Sequence, residues 1–348
     1  MPEGPEVRRH ADALARVLVG RPLRRVEART KAAKAWLAAH GAALVGRCVT
    51  DVTSHGKHLV GRIEARPEAG DPFGGAAPYF HSHLMMWGRW HVADGNPADA
   101  TLDPSDASAY AATPLDAPPM TDRRDRAVLE SDRGVALLRS APVFTLGVGD
   151  PYDAEPLLGT LGPDALPVDG PSAFDADAAR QRLAARPERA VGAALLDQQA
   201  VAGLGNYLRA EILYLCRVSP FAAVGALTEA EWTCLLDAIP DVTARAYRTG
   251  GVTLSDADAA RMAADEALVY TPDRSWQRRH YVFRRTNLPC LRCATPIRQQ
   301  RQVTREAPPG EDEGASVERI VYFCPTCQGV DMPERKRPAR RAAAATDA

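Results

Sequence analysis

The first six residues of this 348-residue chain, Met-Pro-Glu-Gly-Pro-Glu, carry the residue types best suited to covalent chemistry. Removal of Met1 would leave Pro2 as a free secondary amine with an ordinary pKa of about 8. Such an amine attacks an electrophilic carbon, and the resulting iminium is an electron sink for breaking neighbouring bonds. Glu3 adds a carboxyl group that can carry protons. We therefore predict an amine-based active site at the amino terminus.

A disordered terminus is the alternative interpretation of this segment. Two observations weigh against it. A group of four cysteines lies near the other end of the chain, and one explanation should account for both ends. In addition, apolar residues with helical spacing follow at once, namely Val7, Ala11, Leu14, Ala15 and Leu18. This spacing predicts a helix that ties the terminus to a core.

Four of the seven cysteines form two C-x-x-C pairs, Cys290 with Cys293 and Cys324 with Cys327. Four thiolates at this spacing are typical of a tetrahedral Zn²⁺ site, and they leave no open position for catalysis. In a reducing compartment such cysteines indicate metal rather than disulfides. We expect one structural Zn²⁺. The remaining cysteines are expected to be core residues: Cys48, Cys216 and Cys234.

Composition bounds the class of protein. A 45% hydrophobic and 25% charged chain is ordinary for a globular protein, and no apolar run reaches the length of a membrane span. The amino terminus lacks a signal-peptide pattern, so we expect a cytoplasmic protein without a membrane partner. The net charge is −1, yet nine arginines and no acid lie between Arg274 and Arg305. A locally basic face of this kind is enough to follow nucleic-acid phosphates.

Lysine is rare, with only four in the chain, and Lys57 interrupts a strand-like run within His55-Gly56-Lys57-His58. Lysine can lose its proton, whereas arginine effectively cannot. Lys57 is therefore a candidate chemical group, although a solvated turn lysine is the common alternative.

The first 150 residues are predicted to be mainly β with one leading helix, which favours a sandwich. Residues 95–122 are rich in proline, aspartate and alanine with little periodicity, which indicates a surface insertion. Met85, Met86 and Trp87 are either core residues or a wedge that fills the space left by an extruded base. The predicted strands are 23–28, a run over 43–63 broken at Lys57, a strand pair over 79–92, and a hairpin of 127–132 with 135–140.

Residues 151–273 have helical patterns. Gly203-Leu204-Gly205-Asn206 is predicted to form a corner whose backbone N–H groups suit a phosphate oxygen. Residues 274–328 form the cysteine-rich module, and 329–348 are expected to be a disordered basic tail. The predicted helices are 173–186, 191–201, 207–216 and a helical pair over 227–247.

Four motifs occur along this chain in the same order as in one protein family. They are the opening six residues, His55-Gly56-Lys57, the run from Asp197 to Glu211, and the terminal cysteine finger. Over residues 1 to about 328 the sequence resembles the bacterial formamidopyrimidine-DNA glycosylase and endonuclease VIII family. Leu204 to Arg209 and Gly162-Pro163-Asp164 look more like the endonuclease VIII branch.

The resemblance implies an α+β multidomain fold: an N-terminal β-sandwich with a leading helix (1–150), a helical helix-two-turns-helix domain (151–273) and a C-terminal zinc-finger hairpin (274–328). It implies a monomeric, nucleoid-associated DNA glycosylase and abasic-site lyase. This enzyme would remove oxidised bases, preferably pyrimidines, from double-stranded DNA and nick the strand by β,δ-elimination.

The resemblance also implies residue roles. Pro2 would be the Schiff-base nucleophile, with Glu3 as its proton carrier. Lys57 would contact phosphate and donate a proton. Asn206 and Arg319 would bind the DNA backbone, and Arg319 would assist δ-elimination. The remaining implied DNA contacts fill the vacated stack: Met85, Met86 and Trp87.

Two alternatives stay open. The trio at 85–87 is more apolar than in the endonuclease VIII branch, and Gly250-Gly251 is closer to the formamidopyrimidine branch, whose corresponding loop helps recognise oxidised guanine. The same chemistry could therefore prefer oxidised purines such as 8-oxoguanine and formamidopyrimidine. A non-catalytic zinc-ribbon protein that binds nucleic acid is the second alternative, and for it Pro2 would be irrelevant. The basic tail and the 95–122 segment could also recruit partners.

Overall fold

The computed structural model of the protein describes residues 2–94, 120–271, 275–305 and 316–331. Most of the predicted insertion at 95–122 and of the predicted tail at 329–348 lies outside these ranges. Within them, no helix is both long and apolar enough to cross a membrane.

Two four-stranded antiparallel sheets build the first part of the chain. Their facing sides form one core that includes Phe80, Trp90 and Phe144. The predicted leading helix is confirmed, and it buries Val7 and Leu14 in the same core. The elements are α1 (Gly4–Leu18), β1 (Leu23–Ala28), α2 (Lys31–His40), β2 (Val49–His55), β3 (His58–Ile63), β4 (Pro78–His83), β5 (Arg89–Asp94), β6 (Asp125–Ser131), β7 (Gly134–Arg139) and β8 (Val143–Val148). The strand order is β1-β6-β7-β5 in one sheet and β2-β3-β4-β8 in the other.

The predicted pairing of two strands within 79–92 is wrong. Both strands exist, but β4 pairs with β3 and β8, whereas β5 pairs with β7 in the other sheet. The connecting loop therefore crosses from one sheet to the other. Gly88 permits the crossing, because a Cβ there would lie 2.4 Å from the Leu84 carbonyl oxygen. Helix α2 and strand β8 were not predicted.

Helices and a two-stranded hairpin form the rest of the described chain. The hairpin pairs β9 (Arg298–Arg305) with β10 (Val317–Phe323) in antiparallel register, with Arg319 opposite Gln302. The elements are α3 (Pro151–Ala154), α4 (Pro156–Gly159), α5 (Ala176–Ala184), α6 (Val191–Ala194), α7 (Asn206–Leu215), α8 (Glu229–Arg248), α9 (Asp256–Ala264), β9 (Arg298–Arg305) and β10 (Val317–Phe323).

Two helix predictions need correction. The helix predicted over 191–201 ends at Ala194. In the loop that follows, the Gln198 side-chain amide donates hydrogen bonds to the backbone carbonyls of Leu196 and Leu204. The predicted helical pair over 227–247 is the single helix α8, which continues through Pro240. Proline removes one backbone bond, but burial of the apolar face of α8 offsets that loss.

The expectation that Cys216 and Cys234 are core cysteines is wrong. They form a disulfide that joins the end of α7 to α8, with a Cα–Cα distance of 5.6 Å, and both are half-buried. Cys48 is a free thiol, also half-buried rather than in the core. The local apolar pattern did not reveal that α7 and α8 bring two distant thiols together.

Candidate active site

The start of the chain is fixed at the point where the two halves of the molecule meet. Pro2 and Glu3 are both buried just before α1. The Glu3 N–H donates to a Glu6 carboxylate oxygen at 2.9 Å, and the Gly4 N–H donates to the Gly203 carbonyl at 2.9 Å. The terminal segment is therefore held in the corner that precedes α7.

The Glu3 carboxylate sits on the first turn of α7. It accepts backbone N–H bonds from Gly205 (2.8 Å), Tyr207 (2.9 Å) and Leu208 (3.2 Å). Burial raises the pKa of Glu3 to about 7, although the Lys57 charge and these N–H groups oppose the rise. A carboxyl group with this pKa both accepts and returns protons near neutral pH.

Glycines allow close contact between the amino terminus, the β2–β3 turn and the corner that precedes α7. A Cβ at Gly205 would lie 2.3 Å from the Glu3 carboxyl carbon. Gly56, in the β2–β3 turn, has a φ of +55°, and a Cβ there would lie 2.7 Å from the Gly203 nitrogen. Only glycine allows the terminus, this turn and the corner to approach so closely.

Lys57 projects from the β2–β3 turn and is half-buried. Burial lowers its pKa, the Glu3 carboxylate opposes that change, and the positive charge of Arg319 adds to it. Lys57 makes no hydrogen bond with another residue that the structure describes. The structure thus gathers Pro2, Glu3, Lys57 and Arg319 into one neighbourhood from three distant parts of the sequence.

The β2–β3 turn is braced from behind by the segment that follows α4. His55 Nε2 contacts the Gly162 carbonyl at 2.9 Å, and Asp164 accepts a bond from the Gly56 N–H. Burial raises the pKa of Asp164 to about 6. Asp164 thus supports the turn that carries Lys57, a contact that the sequence reasoning missed although it had noted the Gly162-Pro163-Asp164 motif.

Asn206 and Arg209 join α7 to the hairpin. The Asn206 amide donates to the Ile320 carbonyl at 2.8 Å and accepts from the Arg209 guanidinium at 2.8 Å. Arg209 is fully buried and also donates to Gln302 at 3.0 Å. Both ends of the Asn206 side chain are thus engaged within the protein, next to the exposed Arg319. Arg209 lies on the buried face of a helix that the sequence predicts. A charged residue at such a position indicates a buried polar contact, and this signal was not used in the sequence analysis.

Met85, Met86 and Trp87 form an exposed tip on the loop between β4 and β5, hereafter the 85–87 tip. Their exposed fractions are 47%, 55% and 76%, so the interpretation as core residues is wrong. The Met85 N–H donates to His83 Nδ1 at 3.0 Å, which supports the left-handed backbone of Met85 at φ 54°.

A histidine cluster beside Lys57 was not predicted. His58 Nδ1 and His81 Nε2 are 2.9 Å apart, and the His58 and His83 rings meet edge to face. Burial together with the Lys57 charge lowers the pKa of His83 to about 4. His83 is therefore neutral at physiological pH and adds no charge next to Lys57.

The predicted metal ligands come together. The ligand atoms of Cys290, Cys293, Cys324 and Cys327 all lie within 4.8 Å of one another. Tetrahedral Zn²⁺ with Zn–S bonds of about 2.3 Å requires sulfur atoms roughly 3.8 Å apart. Sulfur pairs at 3.4 and 3.8 Å fit that requirement. The four cysteines can thus hold one metal ion at the base of the β9–β10 hairpin.

Comparison with known proteins matches both halves of the chain. Residues 1–138 match the family described as "Formamidopyrimidine-DNA glycosylase N-terminal domain", and residues 161–258 match "Formamidopyrimidine-DNA glycosylase H2TH domain". "Probable endonuclease 8 2" of Streptomyces coelicolor is 31% identical, over 98% of each chain. "Formamidopyrimidine-DNA glycosylase" of Thermus thermophilus is 30% identical, over 94% of this chain and 99% of the relative.

Solved structures share the fold. A complex between the Lactococcus lactis Fpg and an abasic site containing DNA superposes with a TM-score of 0.63 at 21% identity. The match covers 94% of this chain and 99% of that one. The α+β arrangement predicted from the sequence, with sheets first, a helix-two-turns-helix region next and a cysteine hairpin last, is confirmed.

Proposed function

Because the chain belongs to the formamidopyrimidine-DNA glycosylase and endonuclease VIII family, we propose that it excises oxidised pyrimidines through a Schiff base on Pro2. Family membership makes it a bifunctional base-excision enzyme, a DNA glycosylase and an abasic-site lyase. The observation that carries the proposed mechanism is the Glu3 carboxyl group, buried beside Pro2 on three backbone N–H groups with a pKa of about 7.

The chemistry follows from these groups. The Pro2 nitrogen forms a bond to C1′ while the bond from C1′ to the damaged base breaks, and the base leaves with the electron pair and takes up a proton. Opening of the sugar ring, with loss of the amine proton, gives the iminium. Glu3 carries the protons in these steps, since its pKa suits both directions.

Strand cleavage uses the acidity of the iminium. Loss of a C2′ proton expels the 3′-phosphate, and a second elimination expels the 5′-phosphate. The lowered pKa of Lys57 makes it a better proton donor to a leaving oxygen than an ordinary lysine. The exposed Arg319 guanidinium is available to bind a phosphate in the same neighbourhood.

DNA is proposed to bind across the junction of the two halves. Extrusion of a damaged nucleotide leaves a gap in the stack and costs roughly a few kcal/mol. The 85–87 tip is apolar and exposed, so it is suited to fill that gap. Asn206 contributes through the corner that it holds against β10.

We assign the metal as a single structural Zn²⁺. It would hold the base of the hairpin that carries Arg319, because four thiolates leave no position for substrate. The domain bounds 1–150, 151–273 and 274–328 belong to the same proposal.

One observation favours a second candidate, preference for oxidised purines. The Gly250-Gly251 loop lies against the active-site segment, since a Cβ at Gly251 would be 3.6 Å from the Glu6 carboxylate. A loop so placed can contact an extruded base. Lesion choice therefore needs direct measurement.

Borohydride trapping tests the proposal. Protein freed of Met1 is mixed with duplexes carrying thymine glycol, 5-hydroxyuracil, 8-oxoguanine or an abasic site, and the imine is reduced. We expect a covalent adduct that forms faster with the pyrimidine lesions. A form with a blocked amino terminus is the control and should give none. Faster trapping on 8-oxoguanine would establish the purine alternative, and the lack of any adduct would overturn the proposed Schiff base on Pro2.

A further inference from the structure

Helix α7 ends at the cysteine cluster with a fully buried tyrosine. The Tyr214 side chain has no exposed area, and its hydroxyl lies 3.3 Å from Cys290 Sγ. A buried tyrosine hydroxyl nearly always finds a hydrogen-bond partner, because an unsatisfied one costs stability. Within the described ranges, the sulfur of Cys290 is the partner.

The direction of this bond follows from the chemistry of the site. A cysteine that binds a metal does so as a thiolate, which has no proton to donate. The Tyr214 hydroxyl must therefore be the donor when metal is bound. Loss of such a partner around a metal ligand typically weakens metal binding about 10-fold to 100-fold.

Further contacts fix the tyrosine in place. The Arg292 guanidinium lies over its ring at 4.5 Å and donates to the Tyr214 carbonyl at 2.8 Å. The Arg292 backbone N–H points to the same sulfur, at 3.4 Å. The last turn of α7 and the start of the cysteine module thus form one packed unit around Cys290.

The opposite end of α7 holds Glu3. Tyr207 and Leu208 donate to that carboxylate, and Tyr214 lies about 10 Å further along the helix axis at 1.5 Å per residue. We propose that Tyr214 is a positioning residue that donates a hydrogen bond to the Cys290 thiolate, so that one helix links the metal centre to the catalytic carboxyl group. The proposal rests on the structural zinc assigned above.

Tyr214→Phe tests this bond, because it keeps the ring and removes only the donor. Tyr281→Phe is the matched control. The Tyr281 ring lies 5.3 Å from that of Tyr214, but its hydroxyl donates to Asp258 at 2.8 Å rather than to a cysteine. Zinc affinity is measured by competition with a chromophoric chelator, and the thiolate-to-metal charge-transfer band is recorded after Co²⁺ substitution.

We expect Tyr214→Phe to weaken zinc binding about 10-fold to 100-fold. Its charge-transfer band should move to lower energy, because an unbonded thiolate gives up electron density more readily. Tyr281→Phe should match the unsubstituted protein in both measurements. Unchanged affinity and an unshifted band in Tyr214→Phe would overturn the proposal, and so would equal changes in both variants.

The metal and the enzymatic activity are tested apart. Unsubstituted protein that binds neither Zn²⁺ nor Co²⁺ would overturn both the zinc assignment and the role of Tyr214. Trapping of lesion DNA by the same preparation reports on the glycosylase independently, so the two failures can be told apart.

Discussion

The Glu3 carboxylate accepts a hydrogen bond from the Gly205 N–H at 2.8 Å, across 202 residues of sequence. The carboxyl group next to the nucleophile is thus held by a helix from the other half of the chain. The site around Glu3 is therefore complete only when the N-terminal β-sheet region and the helical region are packed against each other.

Replacing Glu3 should separate stability from activity. Burial raises the pKa of this carboxyl group from 4.5 to about 7, so the folded protein binds the proton more tightly than the unfolded chain does. The cost of ionising Glu3 is absent below pH 4.5, grows between 4.5 and 7 and is complete above 7. Glu3→Gln cannot ionise, but its NH2 group also cannot accept the backbone N–H bonds that both Glu3 oxygens accept. Its free energy of unfolding should therefore fall by about 2.5 kcal/mol less than that of the unsubstituted protein between pH 5 and pH 8, while base excision is abolished.

Thermal unfolding at pH 8 and pH 5, with single-turnover assays on lesion DNA, measures both effects. Glu68→Gln is the control, because Glu68 is exposed. A Glu3→Gln protein whose stability changes with pH in the same way as that of the unsubstituted protein, or one that is as active, would contradict this account of the site.

Gly205→Ala should displace the Glu3 side chain. The added Cβ would lie 2.3 Å from the carboxyl carbon, so the carboxylate must move. A misplacement of about 1 Å at a reacting group can cost roughly 100-fold in rate. Cleavage of abasic-site DNA under single-turnover conditions should slow accordingly. Gly41→Ala is the matched control, since its Cβ would meet nothing closer than 3.4 Å, and an equal rate in the two variants would refute the expectation.

His10 should make the protein sensitive to acid. It is fully buried in α1, and neither ring nitrogen has a partner within the described ranges. Burial, with further contributions from Arg9, His91 and Arg89, lowers its pKa from 6.5 to about 3. The unfolded chain binds the extra proton, so stability is complete above pH 6.5 and is lost as the pH falls toward 3.

Between pH 7 and pH 5 this single group should remove about 2 kcal/mol. His10→Leu keeps the site apolar and cannot titrate, so its free energy of unfolding should fall by that much less over the same interval. Parallel pH profiles for the variant and the unsubstituted protein would show that another group governs acid sensitivity.

Removing the bond between Cys216 and Cys234 should destabilise the helical region. The two cysteines are 18 residues apart, and closing a loop of this size contributes about 3 kcal/mol. The double variant Cys216→Ala with Cys234→Ala should unfold at correspondingly lower urea concentration. Substitution is a better test than a thiol reductant, which would also compete with the four clustered cysteines for a metal ion. Cys48→Ala, at a free half-buried thiol, serves as the control and should change little.

Local pattern was enough for much of the fold. The stripe on α1, the strand β1, the β6–β7 hairpin and the cysteine spacing all reflect interactions between neighbours in sequence. The candidate site residues could also be predicted from the sequence, because a terminal amine, an adjacent carboxyl group and a rare lysine seldom occur together in one chain. The family resemblance then placed Asn206 and Arg319 near them.

The remaining features depend on contacts between distant residues. The residue types of β4 and β5 predict two strands, but they do not say which strand lies alongside each of them. The disulfide requires α7 to pack on α8, and Pro240 is tolerated only because α8 is buried on one side. Asp164 contacts the Gly56 N–H, and the histidine cluster is built by side chains from two different strands. Sequence alone does not reveal these contacts.

Strand β5 separates two ends with different roles. It starts at Arg89, next to the 85–87 tip, and ends at Asp94, about 17 Å away, where the chain leaves the sheet toward residues 95–119. Additions at the far end are insulated from the near end by the pairing of β5 with β7. A fluorescent label attached at Asp94 would therefore lie about 17 Å from Arg89, at the opposite end of the strand from the 85–87 tip.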